Sequence, residues 1–124
     1  MAIKSILLAD DSSVLRKNYA TPLRAAGFQV TEAVDGNDAL EKIKMQSFDL
    51  VITDQNMPRM DGLTLTRNLR GIANFQRVPV LMLMENAAEA TKVNASAKAA
   101  GVNGWLVKPF DSAQLLAISK KILG

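Results

Sequence analysis

Hydrophobic positions along the chain form two alternating patterns. Five short segments are rich in apolar and β-branched residues: residues 6–9, 28–33, 50–52, 80–84 and 105–107, of which only the second contains polar side chains. Apolar runs without polar alternation are typical of strands buried on both faces, as in a parallel sheet. The segments between and after them place apolar residues at helical spacing. The pattern therefore predicts five strands, each followed by a helix.

Boundary signals support these helices. The last one opens with Asp111, and Gln114 three residues later completes the pattern of a capping box. Other boundaries are marked by Ser12-Ser13 and Asp35-Gly36 before the first two helices, Gly62 near the start of the third, and Gly27 and Gly101 after the first and fourth. Five βα units predict an open, doubly wound α/β sheet with right-handed crossovers. With no repeat, low-complexity stretch or linker, we expect one domain over residues 1–124.

Composition narrows the possible functions. Hydrophobic residues make up 48% and charged residues 22% of the 124 positions, as in ordinary globular proteins. The sequence shows neither a membrane-spanning run nor a signal-peptide layout, which favours the cytoplasm and argues against membrane attachment. Without Cys and His, the usual zinc, copper and haem ligands are missing, leaving metal sites built from oxygen. The net charge is +3, but the basic residues are scattered along the chain, so we expect no nucleic-acid partner.

Charged residues follow three of the predicted strands. The first strand ends in Asp10-Asp11, the third in Asp54 and the fifth in Lys108. Each alone has an ordinary explanation as a turn, a helix cap or a solvated strand end. If the strands are parallel neighbours, however, three carboxylates and one ammonium meet at the edge where such sheets bind ligands. Carboxylates so close repel one another, and this repulsion is relieved by a bound cation or by a raised pKa. A site with few protein oxygen ligands, completed by water, suits Mg²⁺. A metal-bound carboxylate beside a lysine is well placed to attack a phosphoryl donor.

This arrangement resembles the receiver domains of response regulators in two-component signalling. The likeness rests on Asp10-Asp11, residues 54–62 and Lys108-Pro109-Phe110, and covers the whole chain. It implies the flavodoxin-like fold, with five parallel strands in the order 2-1-3-4-5 and helices on both faces. Residues 104–110 look most like the stand-alone, chemotaxis-type regulators, so no output domain is expected.

The resemblance also implies roles for individual residues. Asp54 is the expected phosphoacceptor, and Lys108 is expected to contact the phosphoryl group. The expected Mg²⁺ ligands are the side chains of Asp11 and Asp54, the backbone carbonyl of Asn56, and Asp10 through water. The bond before Pro109 is expected to be cis. The phosphodonor is expected to be a histidine kinase or a phosphotransfer domain docked on the helix after Asp11. The protein is expected to be a monomer that signals to a downstream target protein.

Two positions depart from the family. Receivers carry Ser or Thr at the end of the fourth strand, where this chain has Met84, which cannot donate a hydrogen bond. The missing bond, about 1.5–3 kcal/mol, is comparable to a typical coupling of about 1–3 kcal/mol between sites. Glu85 follows and adds a negative charge. We therefore expect phosphorylation with a weak or unconventional readout; alternatively, Met84 merely extends the strand and Lys108 or a backbone N–H supplies the contact.

Trp105 occupies the position of the family's switch aromatic residue. Its ring could pack inward or outward, or it could be an ordinary core residue. A sulfur–aromatic contact with Met84 would hold it in one state. The orientation of Trp105 therefore stays open at this point.

Three functions fit the sequence. The leading one is a phosphoryl-accepting signalling module whose chemistry is self-limited, so we do not expect an enzyme. The second is a pseudo-receiver that binds its partner without phosphorylation, with Met84 and Glu85 fixing one conformation. The third is an aspartyl-phosphate hydrolase, suggested by Asp54-x-Asn56. Such hydrolases need an acid/base two residues after the nucleophile and a cap domain, and the amide at Asn56 argues against this reading.

Overall fold

The computed structural model describes residues 3–124, in which strands and helices alternate. The strands are β1 (Ser5–Ala9), β2 (Gln29–Ala33), β3 (Leu50–Asp54), β4 (Val80–Met84) and β5 (Gly104–Val107). The helices are α1 (Ser13–Ala25), α2 (Gly36–Met45), α3 (Gly62–Arg70), α4 (Ala87–Ala100) and α5 (Ser112–Leu123), with a 3₁₀ turn at Ala73–Phe75. The five predicted βα units are confirmed, with boundaries shifted by one or two residues.

The five strands form one parallel sheet in the order β2-β1-β3-β4-β5. This confirms the expected strand order 2-1-3-4-5. The register pairs Ala9 with both Ala33 and Thr53, while Asp54 pairs with Leu83. The carboxyl ends of the strands consequently lie together along one edge of the sheet.

Burial follows the position of each strand in the sheet. Every residue of β3 and β4 is buried, as is β1 after its first residue, whereas the edge strands β2 and β5 are partly exposed. One hydrophobic cluster joins one sheet face to α2, α3 and α4. The other joins the opposite face to α1 and α5. Helices on both faces confirm the doubly wound architecture.

The N-terminal caps of the helices lie at the edge of the sheet formed by the carboxyl ends of the strands. Ser12, Asp35, Asp61 and Asn86 each accept a hydrogen bond from a backbone N–H in the first turn of their helix. Asp111 caps α5 in the reciprocal capping box that its sequence predicts. These caps fix where each strand–helix connection turns. Between residues 3 and 124, no helix is long and apolar enough to cross a bilayer.

Candidate functional site

Three carboxylates converge at the carboxyl ends of β1 and β3. Asp10, Asp11 and Asp54 each offer an oxygen, and these oxygens all lie within 4.8 Å of one another. Asp10 is fully buried, Asp54 is 4% exposed, and Asp11 is exposed. Ser12 N–H donates to Asp10 Oδ1 at 2.9 Å, which fixes that side chain in place. The convergence predicted from the strand ends is confirmed.

The acidic cluster has the properties of a cation site. Asp10 Oδ2 is the one side-chain nitrogen or oxygen in residues 3–124 that is buried without a hydrogen-bond partner. Burial raises the pKa of Asp10 and raises that of Asp54 to about 6. An oxygen without a partner, among carboxylates that oppose one another's ionisation, fits a hard divalent cation such as Mg²⁺.

Lys108 supplies the positive charge facing these carboxylates. Its Nζ lies 3.3 Å from both carboxylate oxygens of Asp54. Burial disfavours the ammonium, but Asp54, together with Tyr19 and Asp10, outweighs it, so the pKa of Lys108 is raised. Lys108 therefore stays protonated at neutral pH. The bond between Lys108 and Pro109 is cis, as expected.

The connection between β3 and α3 is folded tightly against Asp54. Gln55 is buried; its Oε1 accepts from Leu63 N–H at 2.9 Å, and its Nε2 donates to Asp61 Oδ2 at 3.3 Å. A Cβ on Gly62 would lie 2.5 Å from the backbone oxygen of Asp54, so only glycine fits there. The connection thus positions Asp54 and the residues immediately after it.

Asn56 and Arg59 anchor this connection to its neighbours. Asn56 lies two residues after Asp54, and its Nδ2 donates to Glu89 Oε2 on α4 at 2.7 Å. Arg59 adopts φ 67°, uncommon for a residue with a side chain, and pairs with Asp35 at 2.8 Å. The segment carrying Asn56 is therefore held from both sides.

Met84 is wholly buried at the end of β4, among the apolar residues beside α2, α3 and α4. It pairs in register with Val107, whereas Trp105 pairs with Met82. Trp105 is partly buried and packs against the same cluster, so part of its side chain contacts the core. Position 84 offers no hydrogen-bond donor to the site, and a sulfur–aromatic contact with Trp105 stays a prediction.

Two acidic residues lie beyond Met84. Glu85 is exposed and its Oε2 lies 3.6 Å from Lys108 Nζ, which confirms the extra negative charge expected there. Glu89 was missed by sequence reasoning. Its spacing from Asn86 matches a helix start with an acid three residues on, a signal that could have placed it near the site.

A groove of about 520 Å³ lies beside Lys108, between α1 and the start of α5. Tyr19 and Phe110 stack within it, with ring centroids 5.3 Å apart. Leu15 and Asn18 line it from α1. The groove thus opens on the helix that follows Asp11, the face on which the phosphodonor is expected.

This fold and this site define a class: single-sheet α/β domains with a buried aspartate beside a lysine and an acidic cluster at the strand ends. The chain belongs to the response regulator receiver domain family, whose pattern matches residues 6–120.

Relatives of known name support this membership. The chain is 43% identical over 111 residues to chemotaxis protein CheY-3 of Vibrio cholerae, covering 89% of this chain and 84% of that protein. It is 42% identical over 112 residues to chemotaxis protein CheY of Pseudomonas aeruginosa, covering 90% and 88%.

Solved structures share the fold. The chemotaxis response regulator CheY4 of Vibrio cholerae matches with a TM-score of 0.91 and 35% identity, over 98% of this chain and 99% of that one. The receiver domain of sensor histidine kinase PA1611 from Pseudomonas aeruginosa matches with a TM-score of 0.88 and 33% identity, over 99% of both chains. That structure has a magnesium ion coordinated in its active-site cleft.

Proposed function

We propose that this protein is a phosphoryl-accepting receiver in which Asp54 takes a phosphoryl group from a histidine kinase or a phosphotransfer domain. The observation that carries the proposal is the buried Asp54 carboxylate, 3.3 Å from Lys108 and within 4.8 Å of Asp10 and Asp11. A buried nucleophile next to a fixed cation and a cation-binding cluster suits phosphoryl transfer, which depends on positioning and charge neutralisation.

The proposed reaction is a single displacement at phosphorus. A carboxylate oxygen of Asp54 forms a bond to phosphorus as the P–N bond of the donor phosphohistidine breaks, and the electron pair leaves on the imidazole nitrogen. The pKa of Asp54, raised to about 6, leaves it ionised above neutral pH and able to attack. Lys108 holds the transferred oxygens by its ammonium group. Each acceptor is used once until its phosphate is lost, so the chemistry is self-limited and not that of an enzyme.

The residues present would hold Mg²⁺ for this step. Asp11 and Asp54 would bind it by side chains, Asn56 by its backbone carbonyl and Asp10 through water. When bound, Mg²⁺ supplies positive charge that neutralises the carboxylates and the phosphoryl oxygens. The cluster of acceptor oxygens and the unpartnered Asp10 Oδ2 support this assignment.

The relatives named for chemotaxis support a role in chemotaxis signalling. The groove beside Tyr19 and Phe110 supports docking of the phosphodonor on α1. The domain would act as a monomer in the cytoplasm, by contact with a downstream protein.

Intact mass after incubation with acetyl phosphate tests this proposal. We expect a gain of one phosphoryl group that requires Mg²⁺ and is absent in Asp54→Asn. The absence of any gain in a folded protein would contradict the proposal.

The second candidate is a phosphorylation-independent interaction module, favoured by the buried Met84 in place of a hydroxyl donor. It would show partner binding that Asp54→Asn leaves unchanged. A hydrolase is less well supported, because the Asn56 side chain is an amide bonded to Glu89. We expect no turnover of a phosphomonoester.

A further inference from the structure

Two contacts join the start of α4 to the acceptor site. Glu85 Oε2 lies 3.6 Å from Lys108 Nζ, the same ammonium group that contacts Asp54. Glu89 Oε2 accepts from Asn56 Nδ2 at 2.7 Å. Both acidic residues belong to the segment 85–89, which links β4 to the first turn of α4.

Glu89 ties the two contacts together. Its Oε1 accepts from the backbone N–H of Glu85 at 3.2 Å, and its own N–H donates to the Asn86 cap at 2.8 Å. A displacement of Glu85 therefore pulls on a residue that also holds Asn56 and the cap of α4.

The Met84 side chain cannot donate a hydrogen bond to a phosphoryl group on Asp54. It is fully buried among apolar side chains and has no hydrogen-bond donor. A polar connection between a phosphoryl group on Asp54 and α4 therefore needs a side chain other than Met84, and Lys108 contacts both Asp54 and Glu85.

We propose that the phosphoryl group and Glu85 compete for Lys108, so that phosphorylation breaks the Lys108–Glu85 ion pair and releases segment 85–89. The inference rests on the proposed function, because it needs a phosphoryl group on Asp54. The signal would be the release of segment 85–89, caused by competition for the charge of Lys108. It would replace a hydrogen bond from a hydroxyl group at position 84 to the phosphoryl group.

The charges and their burial favour this outcome. A phosphoryl group brings about −1.5 to −2 charges, and the phosphorylated Asp54 no longer offers a carboxylate to Lys108. Glu85 is 56% exposed at its side chain, so solvent weakens its hold on Lys108, whose side chain is only 14% exposed. The new group also repels Glu85 directly. Both effects draw Lys108 inward and push Glu85 outward.

Hydrogen–deuterium exchange of the backbone of residues 85–93 tests the inference, with intact mass measured on the same samples. The protein is compared with and without excess acetyl phosphate in Mg²⁺. Glu85→Gln removes the competing charge at nearly constant size, and Glu85→Ala serves as a second variant. Glu41→Gln is the matched control, since Glu41 is exposed on α2, away from the acceptor.

We expect phosphorylation to speed exchange of residues 85–93 severalfold in the unmodified sequence and in Glu41→Gln. Both Glu85 variants should exchange at the faster rate before phosphorylation and change little after it. A phosphorylated protein with unchanged exchange would overturn the inference and leave the proposed function standing, as would Glu85 variants that respond like the unmodified sequence. No gain in mass would overturn both.

Discussion

At the scale of single residues, Met84 differs in character from the charged residues that it adjoins. The acceptor, the lysine and the acidic cluster lie together, yet the strand end next to them presents a buried thioether. Phosphoryl transfer to Asp54 would depend on Lys108 and the acidic cluster. A conformational switch at the end of β4 would depend on the side chain at position 84. The two properties should therefore respond to different substitutions.

Met84→Thr should restore a donor at the cost of packing. We expect about 2–3 kcal/mol less stability in urea unfolding, since a buried apolar side chain is shortened and a hydroxyl is buried. We also expect a larger phosphorylation-dependent change in Trp105 fluorescence. Met84→Leu, which keeps an apolar residue of similar size, is the control for packing. An unchanged fluorescence response in Met84→Thr would rule out an impaired switch at this position.

The buried carboxyl of Asp54 makes the stability of the fold depend on pH. Burial raises the Asp54 pKa from 3.8 to about 6, so the unfolded chain ionises first. Stability from this group is complete below pH 3.8 and is lost as the pH rises through 6. In chelator, Asp54→Asn should therefore gain about 1–3 kcal/mol relative to the unmodified protein between pH 4 and pH 7.5. Urea unfolding at both pH values measures this gain.

Glu41 is an exposed carboxylate, so Glu41→Gln controls for the change in overall charge. A stability difference between Asp54→Asn and the unmodified protein that is identical at pH 4 and pH 7.5 would contradict the raised pKa. The pKa of about 6 already includes the attraction of Lys108, which lowers it, so the loss of that ion pair is contained in the expected range.

At the scale of elements, the connection from β3 to α3 positions Asp54. Gly62→Ala should lower stability by about 1–3 kcal/mol and slow phosphoryl incorporation, because its Cβ would meet the Asp54 backbone oxygen at 2.5 Å. Gly71 caps the carboxyl end of the same helix, and Gly71→Ala is the matched control. There the nearest atom is Asn68 O at 3.4 Å and φ is −79°, so we expect little change.

Urea unfolding and intact mass over time measure both effects. Equal stability and incorporation in the two alanine variants would show that the close approach at Gly62 does not constrain Asp54. A stability loss with normal incorporation would separate folding of the helix from positioning of the acceptor.

At the scale of the whole molecule, the strands were predictable because they depend on short-range pattern, and the acidic site followed from the parallel sheet that this pattern implies. Continuous apolar runs identify central strands, and parallel strands bring their carboxyl ends to one edge. The strand order and residue roles needed the family resemblance. Contacts between distant segments were not predictable: Asn56 reaches Glu89 across 33 positions, and Arg70 bonds to the carbonyl of Gly101. Such pairs depend on how helices pack, which no local spacing encodes.

Magnesium binding should stabilise the entire fold, because Asp10, Asp11 and Asp54 come together only when β1 and β3 pair. A ligand that binds the folded state alone adds about 2.7 kcal/mol at a concentration 100 times its Kd. We expect Tm to rise with Mg²⁺ in calorimetry, and Asp11→Asn to shift this rise to higher concentrations. Glu41→Gln and NaCl at matched ionic strength are the controls. An equal rise in NaCl, or in Asp11→Asn, would mean that the cation only screens charge.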